Sequence, residues 1–230
     1  MHQPSPTPLE RKLSAFAVLA SEEREILTNL QGRSRPIVVG RDLVHQGQEK
    51  QSAYILTKGW VSSYKVSMEG DRQIVDFQVP GDFLGLRSVL LKTSDHSIEP
   101  ITHVEVAEVS SAELLSIFSS HPRLAAAVLW AASRDEAMVV EHLIDIGRRN
   151  AAERTAHFLL ELGTRLSLVG LGDRTGFECP LTQYHLADAL GLSAVHVNRV
   201  LRQLREEHLL TFRRNRVTFD AYDRLVAFAG

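Results

Sequence analysis

Apolar and polar positions change rhythm twice along this chain. Up to about residue 110 the apolar residues come in short runs: Ile37 to Val39, Leu43 to His45, Ala53 to Thr57, Trp60 to Val66, Ile74 to Val79 and Thr102 to Val109. Glycines or polar corners separate them, at Gly40, Gly47, Gly59, Glu69-Gly70 and Pro80-Gly81-Asp82. Glycine supplies tight corners that other residues enter only with strain. Val104, Val106 and Val109 alternate with Glu105 and Glu108, with a slip of one at the end. The spacing predicts a small antiparallel barrel or double-sheet jelly roll, preceded by a short helix around Glu22 to Leu30. Such a scaffold either encloses a ligand or is filled by its own side chains, and the pattern leaves both open.

From about Pro122 to Ile146 the period becomes helical. Leu124, Val128, Ala131, Met138, Leu143 and Ile146 supply an apolar face, and Trp130, Val139 and Val140 add more than one narrow stripe requires. Ala125 to Ala127 and Ala131-Ala132 permit close helix approach. The surplus predicts a helix packed against both the barrel and a second copy of the chain. The alternative is a helix buried only within its own chain.

The third pattern runs from Thr182 to Arg205 and carries the most information. Thr182 suits an N-cap, because its hydroxyl accepts from an otherwise unpaired helix amide. Leu186, Ala187 and Leu190 then mark a short apolar stripe. Gly191 suits the left-handed conformation that ends a helix, and Ser193 caps the next. In that second helix Val197, Val200, Leu201 and Leu204 recur at three- and four-residue spacing and face inward. Val195, His196, Asn198, Arg199 and Arg202 lie elsewhere on it, several near its N-terminus. This is the layout of a helix-turn-helix, which presents one helix to the major groove of double-stranded DNA. Arg donates two hydrogen bonds to a guanine, and Asn or His reads bases or grips phosphates. The alternative is a helical hairpin with a solvated basic face.

Two short strand-forming runs follow, Leu209 to Phe212 and Val217 to Phe219, flanking Arg213-Arg214-Asn215-Arg216. Asn tolerates positive φ, so this reads as a hairpin wing with Arg213, Arg214 and Arg216 at its tip, placed for backbone phosphate. Thr182, Gln183, Ser193, Val195, His196, Asn198, Arg199, Arg202 and the three wing arginines are the candidate DNA-binding residues. A winged helix also serves protein–protein contacts, and that reading stays open.

The net charge of −2 over 230 residues looks wrong for a nucleic-acid binder until it is divided. Residues 148–230 hold 12 Arg, no Lys and 9 Asp plus Glu, a balance of +3 against −5 for the remainder. A mildly acidic N-terminal part joined to a basic C-terminal one fits a regulator better than a DNA-coating protein. No apolar run approaches a membrane span, and residues 1–12 lack a signal-peptide core; they are expected to be an unstructured leader. A cytoplasmic protein without membrane contact is expected. Cys179 is the single cysteine, which excludes an intrachain disulfide and a four-cysteine iron–sulfur cluster within one chain. It is either an inert small apolar residue or, lying just before the helix-turn-helix, a group whose oxidation disturbs DNA contact. The ten histidines are dispersed and show no standard metal spacing, so no metal or cofactor is expected. No glycine-rich nucleotide loop, nucleophile elbow or HExxH pattern points to catalysis, and no catalytic residue is assigned.

The order of barrel, long helix, helix-turn-helix and wing resembles the CRP/FNR family of bacterial transcription regulators, from about Phe16 to Phe219. The local matches are Pro80-Gly81-Asp82-Phe83-Leu84-Gly85, Val106-Ala107-Glu108-Val109-Ser110, Glu153 to Leu160 and Leu181 to Leu209. The resemblance implies an α+β chain. An effector-sensing β-roll like that of cyclic-nucleotide-binding proteins would occupy 14–120, a dimerisation helix 121–147 and a winged helix-turn-helix 148–230. It also implies a homodimer on an inverted-repeat site and contact with RNA polymerase. Arg199 matches the family's frequent base-reading arginine. Val195 stands where cAMP- and oxygen-responsive members usually carry glutamate, and Asn198 where they carry glycine or serine. In cyclic-nucleotide-binding members a glutamate follows the glycine of the phosphate cassette and an Arg-Ser pair comes later, arginine neutralising the phosphate and glutamate binding the ribose. Here Leu86 follows Gly85, and the later stretch reads Ser94-Asp95-His96-Ser97. Leu84, Gly85, Leu86, Arg87, Ser94 and His96 are therefore the candidate pocket for an unidentified small-molecule effector.

Overall fold

The computed structural model describes residues 5–49, 52–91 and 93–230. The chain forms two compact units, one from the chain up to Lys65 together with Val75–Asp135, the other from Val66–Ile74 together with Glu136–Gly230.

The first unit opens with a finding that overturns an expectation. Residues 1–4 of the expected leader lie outside the described residues, but Pro8–Ser14 form a helix, α1. Thr7 accepts from the Glu10 amide at 3.2 Å, Glu10 Oε2 accepts from the Thr7 amide at 2.7 Å, and Pro8 stands at the first helical position. This capping box, with a proline whose missing N–H costs nothing there, makes a short helix out of a segment that reads as leader by composition. Leu9 and Leu13, one turn apart, are fully buried. The buried Lys12 ammonium lies 2.7 Å from Asp82 and 3.3 Å from Asp135. Gly81, at φ 96°, permits the approach: a Cβ there would lie 2.9 Å from the Pro8 carbonyl carbon.

After α2 (Ser21–Gln31) come strands β1 (Arg35–Ile37), β2 (Ala53–Lys58), β3 (Val61–Val66), β4 (Arg72–Gln78) and β5 (Phe83–Leu84), helix α3 (Leu86–Leu91), and strands β6 (Ser97–Pro100) and β7 (Val104–Val109). They form two sheets, ordered β1-β7-β2-β5 and β4-β3-β6. In the first, Ile55 stands opposite Ala107 and Leu56 opposite Val106. Ile55, Ala107 and Val109 enter one core cluster with Leu9, Leu13, Leu27 and Leu124; Leu56, Val104 and Val106 enter another with Val44, Val61, Leu84 and Ile98. Both faces of β2 and β7 are thus apolar. This explains the slip at Val109: the alternation never breaks, and Val109 belongs to the opposite face from Val104 and Val106. Leu43 to His45 form no strand, since Val44 makes a single bridge to Ile98 and serves as a core side chain.

Helix α4 (Ser111–Ser120), capped by Ser110, leads into the 27-residue α5 (Pro122–Arg148). On α5, Leu124, Ala127, Val128, Ala131 and Met138 are buried. Leu143 and Ile146, expected on the same face, are instead exposed, together with Leu129, Val139, Val140 and Ile144.

In the second unit, α6 (Ala151–Leu168) starts at Asn150, which accepts from the amides of Ala152 and Glu153. Then come β8 (Gly172–Asp173), β9 (Gly176–Glu178), α7 (Gln183–Leu190), α8 (Ala194–Glu206), β10 (Leu210–Arg213), β11 (Arg216–Phe219) and α9 (Tyr222–Ala229). The strands form one antiparallel sheet, β10-β11-β9-β8. Gly163 lets the Phe219 ring lie against α6, since a Cβ there would be 2.8 Å from the ring edge. Among the described residues no helix is long and apolar enough to cross a membrane, and no group of His, Cys, Asp or Glu could hold a metal ion.

Candidate nucleic-acid interface

The helix-turn-helix is built by its caps. Thr182 Oγ1 accepts from the His185 amide at 3.2 Å, and His185 Nδ1 accepts from the Thr182 amide at 3.1 Å. His185 so takes the place that Glu or Gln fills in an ordinary capping box, a substitution that hides the signal in the sequence. Gly191 adopts the left-handed conformation (φ 63°, ψ 40°), and the Leu192 amide donates back to the Ala187 carbonyl at 3.0 Å. Ser193 Oγ accepts from the His196 amide at 3.2 Å and starts α8. Val197, Val200, Leu201 and Leu204 are all buried, against Leu186, Ala187 and Leu190 buried on α7.

That packing leaves the other face of α8 to solvent. Val195, Asn198, Arg199 and Arg202 are exposed on it, while His196 is half-buried beside the cap. Among the described residues Asn198, Arg199 and Arg202 make no side-chain hydrogen bond or ion pair. Thr182 and Gln183 are exposed at the start of α7, next to Tyr184, which sequence reasoning passed over and which is 74% exposed.

The wing is a two-residue hairpin. Arg213 pairs with Arg216, and the turn residues Arg214 (φ 50°) and Asn215 (φ 57°) both take the positive φ of a type I′ turn, whose twist matches that of the flanking strands. The sequence pointed to Asn215 alone. Strand β9, also unforeseen, pairs with β11 and sets Glu178 opposite Arg216, with 2.9 Å between carboxylate and guanidinium. The side chains of Arg213 and Arg214 make no hydrogen bond or ion pair among the described residues; Arg216 is partly neutralised. Cys179, at the end of β9, is fully buried, and burial pushes its thiol up to about 12. It is a neutral packing group rather than a reactive thiolate.

The candidate pocket residues of the roll divide into two groups, the leucines in the apolar cores and the polar residues around Asp95. Leu84 is 1% exposed inside one core cluster, and Leu86 packs against the other. Ser94 is buried and donates to the His96 carbonyl at 2.6 Å. Arg87 donates to both oxygens of Asp95, at 2.9 and 3.0 Å, and His96 Nδ1 lies 2.8 Å from the same carboxylate. Burial pushes the Asp95 carboxyl up, but the His96 hydrogen bond and the charges of Arg87, His96 and Lys65 outweigh it and hold it below the usual range. Asp95 is therefore a firm anion that already occupies Arg87.

Residues 153–228 match the Crp-like helix-turn-helix domain and residues 37–121 the cyclic nucleotide-binding domain, in the order the fold displays. The fumarate and nitrate reduction regulatory protein of Vibrio cholerae is 26% identical over 92% of this chain and 84% of its own length. This chain belongs to the CRP/FNR family of transcription regulators. Among solved structures, FixK2 from Bradyrhizobium japonicum superposes with a TM-score of 0.76 and 25% identity, over 86% of this chain and 96% of its own. The c-di-GMP responsive global regulator CLP of Xanthomonas campestris shares the fold (TM-score 0.66, 18% identity, 86% of this chain and 99% of its own). As a CRP/FNR-type regulator the chain carries a DNA-binding helix-turn-helix. Its roll departs from a cyclic-nucleotide site at the residues that matter. Leu86 offers no acceptor to a ribose, and Arg87 is held by Asp95, so these residues do not fit a cyclic nucleotide.

Proposed function

We propose that this CRP/FNR regulator acts as a homodimer that reads an inverted-repeat DNA site and contacts RNA polymerase at the promoters it controls. The observation that carries this reading is the outer face of α8, where Asn198, Arg199 and Arg202 stand exposed and, among the described residues, without side-chain partners on a helix capped at its start by Ser193. Donors left without partners on a rigid helix are free to meet base edges and phosphates. Arg199 reads a guanine, Arg202 and the wing residues Arg213 and Arg214 grip backbone phosphate, and Thr182, Gln183 and Ser193 fix the orientation of the motif. Dimerisation runs through α5. Val140, Leu143, Ile144 and Gly147 follow the i, i+3, i+4, i+7 spacing of a helix–helix seam, and the three large side chains are exposed in the single chain. In this account residues 14–120 sense an effector, 121–147 dimerise and 148–230 bind DNA, in the cytoplasm.

An effector acts here only if it binds one arrangement of α5 better than the other. A second reading has support of its own. The buried cluster of Val44, Leu56, Val61, Leu84, Ile98, Val104 and Val106 fills the roll with its own side chains, which favours a protein competent without ligand and controlled by its abundance. The test of DNA reading is a pair of variants on selected and random duplexes. Arg199→Ala should cost about 1–3 kcal/mol on the selected site and relax its sequence preference, whereas Arg214→Ala should weaken both duplexes alike. Equal losses from both variants on both duplexes would contradict the assignment. Insensitivity to Arg199→Ala would favour a winged helix that serves protein contacts.

A further inference from the structure

We infer that Val195 reads the C5-methyl group of a thymine in the target half-site and so determines part of the operator sequence; the inference rests on the DNA-reading role proposed for α8. Val195 is the second residue of α8 and is 83% exposed. One exposed apolar side chain is ordinary on a protein surface. Its neighbours make this one different. Val195, Asn198, Arg199 and Arg202 stand at i, i+3, i+4 and i+7 and share one face of the helix, opposite the buried Val197, Val200, Leu201 and Leu204. The face therefore presents, from its N-terminal turn onward, one rigid apolar group and then three sets of donors that have no partner among the described residues.

Each member of that face has a distinct match in the major groove. Base edges there display donors, acceptors and a single apolar feature, the thymine methyl. Valine has no donor for phosphate and no acceptor for cytosine, so the methyl is the one base feature it complements. Its branched Cβ holds essentially one rotamer in a helix, so little entropy is left to lose on contact. Four residues along α8 separate Val195 from Arg199, about 6 Å at the helical rise. With base pairs spaced about 3.4 Å apart, the thymine is expected within about two base pairs of the guanine that Arg199 reads.

The experiment uses the full-length protein and a duplex carrying its selected site, in which each thymine is replaced in turn by deoxyuridine. That change deletes the methyl and leaves every hydrogen-bonding group in place. Wild type should lose about three- to tenfold in affinity at one thymine per half-site, the effect of unburying a methyl-sized group. Val195→Ser should abolish that penalty while retaining the guanine preference conferred by Arg199, and Val195→Ile should restore it. The inference is overturned if uracil is tolerated at every position, or if Val195→Ser keeps the same penalty at the same thymine. Wild type that selects no sequence at all would overturn the DNA-reading role itself, a result distinct from selective binding indifferent to uracil.

Discussion

Asp145 shows how much one residue can organise. It is 2% exposed, near the end of α5, and its carboxylate meets the Arg149 guanidinium on one oxygen and His157 Nδ1, at 2.9 Å, on the other. Arg149 donates in turn to the Gly230 carbonyl at 2.9 Å, so a single carboxylate fastens the junction of α5 and α6 to the end of α9. Burial raises the Asp145 carboxyl, but the hydrogen bonds from His157 and Arg149 and their charges outweigh it and hold it below the ordinary value. The sign of the pH effect follows. Below about pH 4 the unfolded chain takes up this proton before the folded one does, so the stabilisation is complete above that pH and lost as the pH falls through the lower folded value. Asp145→Asn should destabilise the protein by about 3 kcal/mol at neutral pH, because it leaves a guanidinium without its buried counter-ion. The variant should also lack this share of the acid-induced loss. Chemical denaturation at pH 7 and pH 3.5 reads both, and equal losses in wild type and variant between the two pH values would contradict the account.

At the scale of elements, the wing and α5 make the sharpest predictions. Glu178 holds Arg216 across the β9–β11 pair, so in the proposed interface it would compete with phosphate. Glu178→Gln should therefore tighten binding to selected and random duplexes alike, by about two- to fivefold at low salt, with little change in sequence preference. Fluorescence anisotropy on the two duplexes measures it. Unchanged affinity would show that Arg216 stays off the backbone. On α5, Leu143→Glu places a charge in the proposed seam, where Leu143 is 67% exposed in the single chain. Sedimentation should show self-association weakened at least about tenfold in favour of monomer, with the fold retained. The helix-turn-helix was legible because its determinants are local: Thr182, Gly191 and Ser193 act through neighbours within a few residues. α1 was not legible, since Leu9 and Leu13 have nothing to bury against until Gly81 brings the roll to them. Strand β6 was missed for a related reason. Ser97 to Pro100 carry no β-pattern of their own and are held by pairing with β3.

The charge division seen in the sequence belongs to the whole molecule. The arginines of α8 and the wing concentrate positive charge on the C-terminal unit of a chain whose net charge is −2. Affinity for DNA should therefore fall steeply with salt, and removing the proposed Arg214 phosphate contact from both protomers of the proposed dimer should reduce the slope of log K against log salt by about 2. An unchanged slope would remove Arg214 from the interface. The roll was less legible than the helix-turn-helix, because what Arg87 does depends on Asp95, eight residues away, and on no motif. The most direct measurement is selection of bound sequences from a random duplex pool by the purified protein, without added ligand and again with cell extract. The account predicts enrichment of an inverted repeat whose half-sites lie about one helical turn apart, each with a guanine whose preference is lost in Arg199→Ala. A pool that stays random under both conditions, while the dimer remains intact, would contradict it.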